Sequence, residues 1–247
     1  MRLFALTALA ILPLAAVLQD KTPAQKPVAT VKEPETKVSF PVELNVVNKE
    51  TTHELMGVGV RVKTKFFMDF DVYAMGFYLD RAKALETLKE SAAELTAAKL
   101  ETSKEFRAAL LSDKFGETMR LVMVRDVDAD TMAEAFEDSL WPHMDKHVKN
   151  PDERLKEEKD RALAKTSLAT FRAFFKKEAE EDQVMDFTWL PGGELYAVVD
   201  GVKSPVVKNE TLCWALFDVY LGADPINEDA NENFHKGLWK LLHPKTE

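Results

Sequence analysis

The stretch from Gly57 to Asp80 constrains this chain more than any other: Gly57-Val-Gly-Val-Arg61-Val-Lys-Thr-Lys-Phe-Phe-Met-Asp-Phe-Asp-Val-Tyr73-Ala-Met-Gly76-Phe-Tyr78-Leu79-Asp80. It reads as two strands, 55–63 and 66–79, rich in Val, Phe and Tyr. Strand alternation puts Val58, Val60 and Val62 on one face, and Gly57, Gly59 and Arg61 on the other. Two missing side chains beside a guanidinium leave room for something to lie against the backbone. On the next strand Tyr73, Met75, Phe77 and Leu79 share a face, and the opposite face (Phe70, Val72, Ala74, Gly76) is apolar too. A strand apolar on both faces is buried on both, so one layer is expected to be core and the other a ligand cavity. Apolar walls with one cation and one phenol suit an apolar molecule with an anionic end. Arginine stays charged and grips a carboxylate or phenolate through two parallel hydrogen bonds. The plainer alternative is an ion pair of Arg61 with Asp69 or Asp71 at the sheet surface.

The rest of the chain alternates helix and strand signals. Residues 38–48 alternate as a strand, and 81–99 is a helix without Gly or Pro. A strand follows at 117–127. Asp128 or Asp130 then caps a helix to about Met144, where Pro142 bends or ends it. Residues 152–179 form a charged helix with an apolar stripe at Leu155, Ala162, Leu168, Phe171 and Phe174/Phe175. A hairpin spans Val184–Leu190 and Leu195–Val199 around Pro191-Gly-Gly-Glu194, with 202–207 as a possible extension. Helices near 209–221 and 228–242 close the chain. Antiparallel strands with helices to one side make an α+β fold.

Composition narrows the partners. The 247 residues are 46% apolar, ample for a core, and the net charge is −9. No basic stripe stands out, which argues against nucleic acid, and an acidic surface repels anionic lipid headgroups. Arg2 followed by the apolar run Leu3–Leu18 reads as a secretory signal peptide over 1–18, too short to span a bilayer comfortably. The expectation is export, to a periplasm or outside the cell, with no stable membrane insertion once the signal is cleaved. No Cys follows the run, so no lipoprotein anchor is expected. Residues 19–38, with three prolines and four lysines between 20 and 38, read as a disordered linker, and 39–247 as one domain. The lone Cys213 sits in an apolar stretch and reads as a buried small hydrophobe.

Several of these segments resemble the chalcone isomerase family. Its Gly-x-Gly-x-Arg strand and the following x-Gly-x-Tyr-Leu strand match Gly57-Val-Gly-Val-Arg61 and Met75-Gly-Phe-Tyr-Leu79. Phe187-Thr-Trp-Leu-Pro-Gly resembles the strand and turn of the last hairpin. Lys208-Asn-Glu-Thr-Leu and Val219-Tyr-Leu-Gly-Ala-Asp-Pro225 resemble the closing helix and its end. The resemblance covers roughly 40–243 and implies an open-faced β-sandwich, a large antiparallel sheet covered by helices. In the family's enzymes a strand arginine steadies the phenolate that attacks an enone, and a tyrosine-ordered water assists at the ketone. The arginine matches Arg61. The match puts Met132 where the enzymes have that tyrosine, Ser139 where they have asparagine, and Val219 where they have a hydroxyl residue.

The family's non-catalytic members bind fatty acids, keep the arginine and add a tyrosine in the second strand, which Tyr73 matches. The resemblance therefore implies a fatty acid or similar apolar carboxylate as ligand, with Arg61, Tyr73, Gly57, Gly59, Met132, Ser139 and Val219 as site residues. No cofactor is implied. Burying about 14 methylenes is worth on the order of 11 kcal/mol gross, and a charge-assisted head-group contact adds roughly 1.5–3 kcal/mol. The alternative function is an intramolecular lyase acting on an enone; a tyrosine or water network opposite Arg61 would favour it. Large side chains filling the Gly57/Gly59 space would favour a purely structural role. His143 and His147 are spaced to share a metal, but no third ligand is evident, so they read as structural.

Overall fold

The computed structural model describes residues 28–47, 51–65, 67–148 and 154–244. The signal-peptide segment 1–18 lies outside them, as does residues 19–27 of the expected linker. The linker is nonetheless shorter than expected at its far end. β1 (Thr30–Lys32) pairs antiparallel with β2 (Ser39–Pro41), so the chain is already structured from residue 30. The turn between them is closed by the buried Glu33 carboxylate, which accepts from the Thr36 amide at 2.7 Å and the Thr36 hydroxyl at 2.7 Å.

β3 (Glu43–Val46), β4 (Thr51–Lys65), β5 (Met68–Leu79), β6 (Glu117–Met123), β7 (Val184–Leu190), β8 (Glu194–Val199) and β10 (Val207–Lys208) form one antiparallel sheet in the order β10-β8-β7-β6-β5-β4-β3, with β9 (Val202–Lys203) on β8. The turn between β7 and β8 uses Gly192 and Gly193, both at positive φ, and their amides donate to the Asp113 carboxylate. Helices α1 (Arg81–Ala92), α2 (Ala97–Thr102), α3 (Lys104–Leu110), α4 (Ala129–Val148), α5 (Arg154–Arg172), α6 (Glu210–Leu221) and α7 (Glu228–Leu242) complete the fold. The class is α+β, as expected.

Three local expectations change. The helix expected over 81–99 breaks after Ala92 and restarts as α2 at Ala97; beyond it a third helix, α3, starts where the Ser103 hydroxyl accepts from the Phe106 amide. Pro142 lies within α4, which runs on to Val148; the fully buried Leu140 and Met144 hold it there by packing. In α5 the buried positions are Ala164, Ser167, Leu168 and Phe171, while Ala162 is exposed and Phe174/Phe175 follow the helix end. Leu155 falls where side chains are outside the described set.

Both faces of the sheet are covered. Tyr73, Met75, Phe77 and Leu79 pack with the helices in the main core. The other face carries a smaller core of Phe40, Leu44, Val46, Val58, Ala74, Tyr78 and Val122, so part of its cover is the segment around β2 and β3. The second apolar layer is thus core, not cavity.

Candidate functional site

A cavity of about 210 Å³ opens between the β4–β5 hairpin and helices α4 and α6. The sheet wall begins with Arg61 and Tyr73, which face each other in the β4–β5 register. One step further the register shifts: Val62 pairs with Asp71, and Val72 is left without a partner. This β-bulge re-aims the strand. Phe70 and Val72, expected opposite Tyr73, therefore line the same cavity as Tyr73.

The helical wall comes from α4, whose Thr131, Met132, Ala135, Phe136, Ser139 and Leu140 recur once per turn in adjacent pairs. α6 supplies Leu216, Val219 and Tyr220, and the loop beyond it Ile226. Asp128 starts α4, its carboxylate accepting from the Thr131 amide at 2.8 Å. Asn209 starts α6 in the same way, accepting from the Leu212 amide at 2.8 Å.

Of the residues singled out in the sequence, Arg61, Tyr73, Met132, Ser139 and Val219 meet at this cavity. Gly57 and Gly59 do not. A Cβ at Gly59 would stand 2.4 Å from the Ala230 Cβ, and one at Gly57 would stand 2.9 Å from the Asn233 carbonyl oxygen. What lies against the bare backbone is helix α7, so these glycines serve helix–sheet packing and not ligand contact. Sequence reading missed Tyr220, one position beyond Val219, and Arg125, whose guanidinium lies 5.0 Å over the Phe70 ring.

Arg61 donates from Nη1 to the carbonyls of Val62 at 2.7 Å and Ile226 at 3.2 Å. Neither Asp69 nor Asp71 pairs with it; Asp69 accepts instead from the Thr64 hydroxyl at 2.6 Å. A guanidinium carries five donors, and the other donors of Arg61 have no protein partner among the described residues. Tyr73 and Tyr220 share a hydrogen bond of 3.1 Å between their hydroxyls. Burial pushes both phenols above their usual pKa, so both stay protonated. A pair of phenols spends one O–H on the mutual bond and keeps one to offer an acceptor. Ser139 offers the cavity no donor, since its hydroxyl hydrogen goes to the Ala135 carbonyl at 2.8 Å. The polar groups thus gather beside Arg61, and the wall formed by Met132, Phe136, Leu140, Leu216 and Val219 is apolar.

The two histidines read for metal spacing part ways. His143 Nδ1 lies 2.7 Å from the Asp218 carboxylate, while the His147 ring stacks on Trp214 at 4.3 Å. Among the described residues no cluster of three metal-ligating side chains occurs, and no helix is long and apolar enough to cross a membrane.

An antiparallel sheet, its helical cover and a cleft arginine beside a tyrosine define a chalcone isomerase-like protein. The family model described as "Chalcone isomerase like" matches residues 51–235, and the chain belongs to that family. It is 27% identical over 209 residues to Fatty-acid-binding protein 1 of Arabidopsis thaliana, covering 83% of this chain and 69% of that protein. Fatty-acid-binding protein 2 of the same plant is 26% identical, and the match spans 51% of its length. Chalcone isomerase-like protein 1 of Humulus lupulus is also 26% identical, with 92% of its length covered. The crystal structure of an Arabidopsis thaliana fatty-acid binding protein superposes with a TM-score of 0.71 at 25% identity, covering 87% of this chain and 100% of that one.

Proposed function

We propose that this protein binds a fatty acid or similar apolar carboxylate in the cavity between sheet and helices, after export from the cytoplasm. One observation carries the ligand class. The cavity brings unspent donors of Arg61 and a spare phenol hydrogen together with an apolar stretch of wall formed by Met132, Phe136, Leu140, Leu216 and Val219. A carboxylate is acceptor-only and takes such donors, while its tail takes the wall. Relatives named as fatty-acid-binding proteins support the reading.

Arg61→Ala should weaken fatty-acid binding by about 2 kcal/mol, and Tyr73→Phe by about 1 kcal/mol, as expected for charged and neutral hydrogen bonds. A fatty alcohol of equal length should hardly notice Arg61→Ala, since it has no charge to lose. Arg61 also ties the loop at Ile226 to the sheet, so Arg61→Lys belongs beside it: charge is kept and the fork lost. Calorimetric titration of acid and alcohol decides. Equal acid binding by parent and Arg61→Ala would remove the carboxylate site.

Export is supported by Arg2 and the apolar run Leu3–Leu18. N-terminal sequencing of mature protein should find a start between Val17 and Asp20. An intact Met1 on membrane-bound protein would refute it.

A second reading, an intramolecular lyase acting on an enone, has one observation in its favour: the Tyr73–Tyr220 pair stands on the Arg61 side of the cavity. Against it, Met132 and Val219 are apolar and the Ser139 hydroxyl is spent on its own helix. With naringenin chalcone, flavanone should form no faster than it does without protein. Stereoselective, protein-dependent formation would establish the lyase instead.

A further inference from the structure

We infer that the head group of the ligand carries two negative charges, and that the cavity takes an alkyl or acyl phosphate monoester in preference to a single carboxylate. This rests on the reading above, that an anionic amphiphile fills the cavity, and refines its head.

Three cations line the cavity, Arg61, Lys63 and Arg125, and no Asp or Glu does. The chain as a whole has a net charge of −9, so the cavity reverses the sign locally. Among the described residues none of the three cations makes an ion pair. Of the acids close to them in sequence, Asp69 accepts from the Thr64 hydroxyl, Asp126 from the Glu181 amide at 2.8 Å and Asp128 from the Thr131 amide. Cations gathered without counter-charge repel one another, and an anion between them relieves that repulsion.

Both guanidiniums are held in place. Arg61 donates from Nη1 to the Val62 and Ile226 carbonyls and keeps Nε and Nη2. Arg125 donates from Nε to the Asp71 carbonyl, lies over the Phe70 ring and keeps Nη1 and Nη2. Each therefore retains a two-nitrogen edge, the geometry that grips an oxyanion through paired hydrogen bonds. Val62 and Asp71 face each other in the β4–β5 register, so the two guanidiniums are moored at one cross-strand step, about 5 Å wide. Lys63 follows Arg61 on the same face of β4, about 7 Å along the strand.

These donors exceed what one carboxylate takes. A carboxylate has two oxygens, and a single guanidinium edge engages both. A phosphate monoester presents three strong acceptor oxygens and close to two charges at neutral pH. It answers both arginine edges and still leaves an acceptor for the Lys63 ammonium or the spare phenol hydrogen.

The test compares dodecyl phosphate, its methyl diester and dodecanoate by calorimetric titration at pH 8, each below its micelle-forming concentration. The shared chain length makes the tail contribute alike, and the diester keeps the phosphorus but loses one charge. Dodecyl phosphate should bind about tenfold or more tighter than either monoanion, the worth of an added charged hydrogen bond. Arg125→Gln should weaken dodecyl phosphate about fivefold or more beyond any change for dodecanoate, and Arg125→Lys should recover part of that loss. Lys63→Gln should act in the same direction and less, because Lys63 is exposed and screened. A merely structural role for Arg125 would weaken all three probes alike and overturns the inference. Dodecanoate binding as tightly as dodecyl phosphate, or a phosphate preference that survives both glutamine substitutions, also overturns it and leaves the carboxylate site standing. Failure of all three probes to bind overturns both readings.

Discussion

Gly59→Val should cost this protein about 3 kcal/mol or more of stability. Valine suits a strand better than glycine does, so local preference alone predicts a gain. The loss comes from across the layer. A Cβ at this position stands 2.4 Å from the Ala230 Cβ and 2.9 Å from the Ala230 Cα, where carbon atoms rest at about 3.5–4.0 Å. Helix α7 would have to retreat by about 1 Å or more. It has no slack to do so at one point alone, because a Cβ on Gly237 would fall 1.6 Å from the Met56 carbonyl oxygen and one on Gly57 2.9 Å from that of Asn233. The three glycines let α7 lie on β4 along a continuous line of close contact. Urea denaturation of parent and variant reads the effect. A variant as stable as the parent but unable to take ligand would restore Gly59 to the binding site.

Replacing His53 should remove about 3 kcal/mol of pH dependence between pH 6.5 and about 4. His53 is fully buried, its Nδ1 lies 2.9 Å from the Thr118 hydroxyl, and that hydroxyl lies 2.8 Å from Thr188. Burial outweighs the nearby Asp80 carboxylate and lowers the imidazole from 6.5 to about 4. The folded protein therefore holds His53 neutral while the unfolded chain protonates it below pH 6.5. Its contribution is complete above 6.5 and is lost as pH falls toward 4. At about 1.4 kcal/mol per pH unit, a shift of roughly 2.5 units gives the figure stated.

Glu117 works in the opposite direction. It is buried, and burial raises its carboxyl well above 4.5, so the folded state keeps it protonated while the unfolded chain ionises. That contribution is lost as pH rises above 4.5. The two slopes offset each other in the parent between pH 4.5 and 6.5. The informative quantity is the difference between parent and His53→Gln, whose amide keeps a partner for Thr118. That difference should shrink steadily as pH falls from 6.5. A constant difference would mean that His53 is charged when folded.

The α+β class, the long strands β4 to β8 and the arginine beside the cavity were legible in the residues, whereas β1 and the division of the strand read over 38–48 into β2 and β3 were not. Period-two alternation around Gly57–Asp80 assigned side chains to faces, and Met132, Ser139 and Val219 reached the cavity as their motif positions implied. The break after Ala92 in the first helix was missed because Ala93–Thr96 carries no Gly or Pro to mark it within a run of helix formers. The β-bulge at Val72 was invisible for a similar reason. Nothing in the residue types marks where one strand takes an extra residue, yet that one step moves Phe70 and Val72 onto the cavity side.

The sequence alone determined which side chains share a surface, because alternation and helical spacing are properties of the local backbone. It could not determine what covers each surface, because that contact joins residues far apart in the chain. Gly57, Gly59 and Arg61 lie on one face, and all three promised an empty space. Only the tertiary structure decided that α7, more than 160 residues on, fills the space at the glycines. At Arg61 α7 no longer covers the sheet, and α4 and α6 stand apart enough to leave the cavity open.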